Sequence, residues 1–325
     1  MLTIRENLKE VMTGGNPDRY VKQYEFLDII MECPLGVEFR YGETWKDNWG
    51  ITWQWPEGQL GQFPVHDEEH IVLKDVTKWK EQVTIPSFPS DEASWAAAVE
   101  HANNVDRTQK YVAPFYAPGL FEMTHHLMSM ENALMALYEE PEAMHELIDA
   151  LVERELEFAR LAVKYIKPDA LFHHDDWGSQ KASFVSPEMF EEFFLAPYKK
   201  IYGFWKENGV ELIVHHNDSY SANLVPFMID MGIDIWQGAM STNDIPALIE
   251  KYGDKITFMG DVDSGIVDFP GWTPEIVREE VEKSVKRCGK LHFIPCLSQG
   301  LNISSFPGVY EEVDKAIGEM SEKMF

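Results

Sequence analysis

The sequence predicts an α/β chain folded as a single (β/α)₈ TIM barrel with an irregular, Trp-rich N-terminal elaboration, and three observations lead there. From about residue 110, short apolar runs alternate with long amphipathic stretches, the rhythm of a parallel sheet covered by helices. Candidate strands near 21–26, 36–40, 111–116, 170–175, 211–216, 233–236, 256–260 and 291–295 number about eight, as a closed barrel requires. Six of those runs end in polar or aromatic residues, where barrels build their sites. Residues 1–325 are therefore expected to form one domain, with 1–110 as the elaboration that also supplies the first strands.

Thr3 and Glu6 have the spacing of a capping box and start a short first helix. Residues 17–90 are irregular and hold five of the ten tryptophans, Trp45, Trp49, Trp53, Trp55 and Trp79. A flexible linker would be poor in tryptophan, so this stretch either packs as a structural segment or covers the barrel mouth as an apolar platform for a ring. The clearest helix runs from Pro141 to Ile166, where Met144, Leu147, Ile148, Leu151, Val152, Phe158, Leu161, Ala162 and Tyr165 recur every three or four residues. Ser186-Pro187-Glu188 and Thr273-Pro274-Glu275 each set a capping hydroxyl before a proline suited to a first helical turn.

Composition excludes several function classes. With 28 basic against 55 acidic residues the net charge is −27, a field that repels nucleic acid and anionic membrane alike. No apolar run approaches the roughly 20 residues of a membrane span. Cys33, Cys288 and Cys296 form no CxxC pair and no even-numbered framework, so a reducing, cytoplasmic setting is expected. A homodimer is compatible with all of this.

The strand ends read Tyr116; His173-His174-Asp175-Asp176-Trp177; His215-His216-Asn217-Asp218; Trp236-Gln237; Asp261-Val262-Asp263; and Ser298-Gln299-Gly300. Turn chemistry alone does not need repeated His and Asp straight after apolar strands. Strand alternation sends one His/Asp pair of the 173–176 cluster toward the barrel axis and the other toward the helices.

From Leu120 onward the sequence resembles the uroporphyrinogen decarboxylase superfamily. The likeness is carried by Phe121-Glu122, Met130-Glu131-Asn132, Phe172 to Gln180, Ser186-Pro187-Glu188-Met189-Phe190, Pro197-Tyr198, Val214-His215-His216-Asn217, Met231-Gly232-Ile233-Asp234, Lys251 to Lys255 and Met259-Gly260-Asp261-Val262-Asp263, in family order. Porphyrinogen decarboxylases carry an arginine-rich N-terminal segment. Here Pro17-Asp18-Arg19-Tyr20-Val21-Lys22-Gln23-Tyr24 keeps only Arg19, so an octacarboxylate would lack charged partners. The thiol-alkylating branch holds zinc with His-x-Cys and a later Cys; position 217 is Asn and the later cysteine appears as Leu301. Cys296 reads as a buried structural thiol.

Asp47-Asn48-Trp49-Gly50-Ile51-Thr52-Trp53, Asp176-Trp177-Gly178-Ser179-Gln180 and Phe306-Pro307-Gly308-Val309-Tyr310 are most similar to corrinoid-dependent O-demethylase methyltransferases. The resemblance implies transfer of a methyl group from a methoxylated aromatic compound to Co(I) of a separate corrinoid protein. A porphyrinogen-type decarboxylase and a barrel that only binds a corrinoid or another ligand stand as alternatives. Matched to the family, His126, Asp176 and Gln299 should face the cavity, and His215 takes the metal-binding histidine's place. Asp176, His215 and Asp261 are the expected catalytic residues, with Asp176 as the acid that meets the leaving oxygen. His126, His174, Trp177, Asn217, Gln237 and Gln299 are expected to bind substrate. His215 and Asp261 act either as acids or as ligands to one zinc ion.

Overall fold

The computed structural model describes every residue except Leu60. Its strands are β1 (Leu27–Ile30), β2 (Thr44–Lys46), β3 (Thr52–Gln54), β4 (Phe63–Pro64), β5 (Tyr111–Tyr116), β6 (Ala170–His174), β7 (Leu212–His216), β8 (Ile235–Ala239), β9 (Thr257–Val262) and β10 (Phe293–Leu297). Seven of them form one parallel sheet in the order β1-β5-β6-β7-β8-β9-β10, and β2-β3-β4 form a separate antiparallel sheet.

The parallel strands are apolar on both faces because each is covered twice. Ala170, Phe172, Leu212, Val214, Ile235, Met259, Ile294 and Cys296 fill the inner face. Leu171, Ile213, Trp236, Phe258 and Phe293 pack outward against helices that include Pro141–Tyr165, Ala196–Glu207 and Pro274–Cys288. The first of these helices matches the predicted periodicity, with Ile166 at its C-cap. Thr3, Ser186 and Thr273 all cap helices through their hydroxyls, and the Thr3–Glu6 box is complete.

Two expectations about strands need correction. Residues 36–40 are not a strand, and the first strand lies at Leu27–Ile30 in place of 21–26. Among the described residues the parallel sheet has seven strands, and no backbone ladder joins β10 to β1. At that seam Gln23 substitutes side-chain bonds for a ladder: its Oε1 accepts from Leu297 N–H at 3.3 Å and its Nε2 donates to Tyr310 O at 3.1 Å. Val21, Tyr24 and Phe26 complete the inner core there.

The small sheet lies beside the barrel mouth. Trp45 pairs with Trp53 across β2 and β3, and Asp47 ties their connection. Its carboxylate accepts from the backbone N–H of Trp49 and Ile51 at 2.8 and 2.9 Å and from Trp53 Nε1 at 2.8 Å. No described helix is long and apolar enough to cross a membrane.

Candidate active site

The C-terminal ends of the parallel strands open into a chamber of about 710 Å³. Trp45, Trp49 and Trp53 from the small sheet line one side, while Phe88, Phe115, Tyr116 and Phe158 add further aromatic wall. Polar groups converge on the floor: Glu122, His174, Asp176, His216 and Asp218.

β6 and β7 pair with His173 opposite His215 and His174 opposite His216. Alternation therefore makes two histidine pairs, one on each face of the sheet. His174 and His216 stack inside the chamber with ring centroids 4.4 Å apart. His173 and His215 stack outside it at 5.4 Å.

Each inner ring is fixed from behind at Nδ1. His174 Nδ1 lies 2.8 Å from Glu122 Oε2. His216 Nδ1 meets Gln237 Oε1, and because the Gln237 amide nitrogen donates to the carbonyls of Leu297 and Gln299, that oxygen must accept. The proton of His216 thus sits on Nδ1 and the Nε2 lone pair faces the chamber. His174 Nε2 lies 3.9 Å from Asp176 Oδ2, and His216 Nε2 lies 3.8 Å from Asp176 Oδ1. One ligand atom from each of the three residues falls within 4.8 Å of the others, a span that small side-chain adjustments close around a tetrahedral divalent ion. Histidines oriented through Nδ1 by a carboxylate and a carboxamide are the usual supporting shell of such an ion. Gly300 keeps His216 in place, since a Cβ there would come within 3.0 Å of the ring.

The charges fit the same arrangement. Burial works to lower His174, but the carboxylates of Glu122 and Asp176 overcome it and push the ring up to about 10. Burial raises Glu122 to about 7 against the pull of His174. Burial lowers His216 to about 4, so it is neutral at pH 7. Asp218 is held well above the ordinary carboxylate range, first by desolvation and then by the charge of Asp176. Its side chain keeps 44% of its surface open, but that surface lines the chamber, whose walls do the desolvating. A cation seated among these groups, whether a proton or a metal, answers an excess of acceptors.

Several predicted site residues lie elsewhere. His215 is a correction: it points to the helices, with Nδ1 at 2.8 Å from Tyr202 OH, Nε2 at 3.2 Å from Asp175 O, and Trp177 stacked on it at 4.2 Å. Asp261 is a second. Met259 faces inward, so plain alternation would bring Asp261 inward too. A register shift between β8 and β9 and the left-handed backbone of Asp261 (φ 66°) turn its carboxylate out to Arg287, to Ser284 Oγ at 2.8 Å and to Cys288 Sγ at 3.3 Å. The expected His215–Asp261 zinc site is therefore not assembled, and the ligand-like group is His174, Asp176 and His216.

Trp177 and Asn217 also turn away from the chamber. Trp177 Nε1 donates to Asp175 at 2.7 Å, and Asn217 ties Trp177, Ser219, Ser221 and Trp236 together. Gln299 spends its amide on Ile303 O at 2.8 Å and does not line the chamber. Gln237 acts on the chamber only through His216. His126 does line it, edge-on to Trp53 at 5.1 Å; burial keeps it neutral, and its Nδ1 has no partner among the described residues.

Asp175, the outward neighbour of Asp176, organises the floor. It accepts from the backbone N–H of Phe121 and Glu122 at 3.0 and 2.8 Å and from Tyr198 OH, which fixes the start of the Leu120–Met128 helix and with it Glu122. Gly119 precedes that helix because a Cβ there would lie 2.5 Å from Asp175 Cβ.

A family model and one solved structure agree with this architecture. The family model described as Uroporphyrinogen decarboxylase (URO-D) matches residues 50–312. The chain belongs to the uroporphyrinogen decarboxylase family. A solved methyltransferase from Methanosarcina mazei shares the fold with a TM-score of 0.64 at 13% identity, covering 99% of this chain and 99% of that one. A modular endo-β-1,4-mannanase from Cellulomonas fimi aligns with a TM-score of 0.42 at 13% identity over 69% of this chain and 57% of its own. No curated protein matches the sequence. In this member of the family the chamber at the strand ends is lined, among the described residues, by five carboxylate residues and a single arginine.

Proposed function

We propose that this protein is a methyltransferase that demethylates methoxylated aromatic compounds and delivers the methyl group to the Co(I) centre of a separate corrinoid protein. The observation that carries the reading is the His174–Asp176–His216 group on the floor of an aromatic-walled chamber. A chamber of this size and lining accepts a substituted benzene ring, and its polar groups converge at one end of it. The family membership and the shared fold with a methyltransferase support it further.

The reaction breaks the bond between the aryl oxygen and the methyl carbon. The electron pair of that bond stays on oxygen, while the methyl acceptor supplies the pair for the new bond to carbon. What the enzyme must provide is stabilisation of a phenolate. A zinc-like divalent ion held by His174 Nε2, His216 Nε2 and Asp176 would supply Lewis acidity at that oxygen. Glu122 and Gln237 position the two imidazoles, and Asp218, whose carboxyl desolvation and the charge of Asp176 hold above its ordinary range, stands beside them facing the departing oxygen. The tryptophans of the small sheet hold the ring and keep water from the developing charge.

An octacarboxylated porphyrinogen suits this chamber poorly, since five acidic residues and one arginine would face it. The test is to mix the protein with a reduced corrinoid protein and a panel of methoxyarenes and follow the cobalt absorbance. Loss of the Co(I) spectrum with release of the phenol is expected. A static spectrum with every methoxyarene, together with carbon dioxide released from a carboxylated substrate, would replace the reading with a decarboxylase. Elemental analysis gives the metal content, and a rate indifferent to chelator would leave protonated His174 or Asp218 as the acid.

A further inference from the structure

Arg154 is buried in a protein of net charge −27, with only 7% of its surface exposed, yet it forms no ion pair among the described residues. Other arginines here are matched: Arg107 with Asp169 at 2.8 Å, and Arg287 with Asp261. The acids beside Arg154 in sequence are committed elsewhere. Glu153 binds Lys200 at 2.6 Å, and Glu155 lies 2.8 Å from His173 Nε2, close enough for an ion pair though too bent for a good hydrogen bond. A guanidinium taken out of water without a counter-charge is costly, so its partner is to be sought in what enters the space it faces.

That space is the chamber, where Arg154 is the one Lys or Arg among the described lining residues. Nε donates to Pro86 O at 3.0 Å and Nη1 to Tyr116 OH at 3.1 Å, which fixes the plane of the group and leaves the remaining N–H donors of Nη1 and Nη2 without acceptors among the described residues. The guanidinium carbon lies 4.2 Å from the ring centre of Phe88 and 4.8 Å from that of Trp49. A rigid planar fork of donors beside aromatic surface fits a carboxylate carried on an aromatic ring.

We propose that Arg154 anchors the carboxylate of the substrate, so that the substrate class is methoxylated arenecarboxylates. One arginine meets one carboxylate, and the ring lies against the aromatic wall of the chamber with its methoxy end toward the floor. The inference rests on the methyl-transfer reading for which end reacts. The anchor itself is a matter of binding.

The experiment is titration of the protein, without corrinoid, with 3-methoxybenzoate and with its uncharged isostere 3-methoxybenzamide, followed by tryptophan fluorescence and calorimetry. The wild type should bind the carboxylate about 10- to 100-fold tighter than the amide. Arg154→Lys should keep part of that ratio and Arg154→Met should bring it to about one, with the amide's own affinity little changed. Equal affinity of the wild type for the two ligands, or binding of neither, overturns the anchor without recourse to any variant that fails to fold. Carboxylate-selective binding with no methyl transfer would sustain the anchor and defeat the proposed reaction. Methyl transfer from both ligands at equal KM would do the reverse.

Discussion

The rings of His174 and His216 stack 4.4 Å apart, and each is gripped at Nδ1 so that both Nε2 atoms face the same carboxylate, that of Asp176. The grips are Glu122, placed by the start of a helix, and Gln237, placed by β8. If the three residues hold an ion, removing either grip frees a ring to rotate or to change tautomer. Glu122→Gln and Gln237→Leu should each lower zinc affinity by about 10- to 100-fold, read by competition with a chromophoric chelator. Unchanged affinity in both would take the ion out of this site.

Ion binding should release a proton. His174, held up to about 10, is charged at neutral pH, and a metal at Nε2 must displace that proton. Because the free ring is protonated below that value, zinc affinity should rise by about tenfold per pH unit between pH 7 and 9 and level off above 10. Below pH 7 the dependence should steepen, since Glu122 also takes up a proton there. Calorimetry in two buffers of different ionisation heat at pH 7.5 should show about one proton released per ion; none released would mean that His174 is not a ligand.

Asp261 should matter to stability and not to rate. Its carboxylate is fully buried and paired with Arg287, which keeps about a third of its surface in solvent. Asp261→Asn should cost about 2–3 kcal/mol in urea unfolding, below the usual loss for a fully buried pair because water rescues part of Arg287. The rate per folded molecule should stay near wild type. A collapsed rate with an unchanged unfolding midpoint would return Asp261 to the mechanism.

Asp47 should matter to substrate binding and not to the barrel. It gathers two backbone amides and the Trp53 indole of the small sheet, which is separate from the parallel one. Asp47→Ala should weaken binding of an aromatic ligand by about tenfold with little change in melting temperature. A large drop in melting temperature would show instead that the sheet supports the barrel.

How much of this was legible in the sequence follows from where side-chain pattern carries information. The Pro141–Tyr165 helix is amphipathic, and its period set its limits to within a residue. β6 and β7 are buried on both faces, so Ala170-Leu171-Phe172 and Leu212-Ile213-Val214 show no alternation from which to tell the inner histidine from the outer. Family position pointed to His215; the structure places His216 in the chamber. Asp261 was misplaced because a left-handed residue after Gly260 breaks the strand's parity, and nothing local announces it. Arg154 and Glu122 were passed over because both lie on helices, where a charge usually faces water. His125 and Asp218, also in the chamber wall, carried no signal beyond standing beside residues already of interest.

The doubled histidines at the ends of β6 and β7 have a consequence for how this chain can change. Inserting one residue in either strand ahead of its histidines would not empty the inner position; it would bring the first histidine of the pair there. Such an insertion in β7 would offer His215 to the ligand group and carry His216 on to the place of Asn217, and Gln237 would face a ring it was not built to hold. Such a slipped chain would keep its count of imidazoles and apolar residues on both faces of the strand, and lose the alignment of lone pairs. A library of single-residue insertions in these two strands should therefore yield proteins that fold and fail to bind zinc, a separation of foldability from chemistry that point substitution at a buried histidine does not easily give.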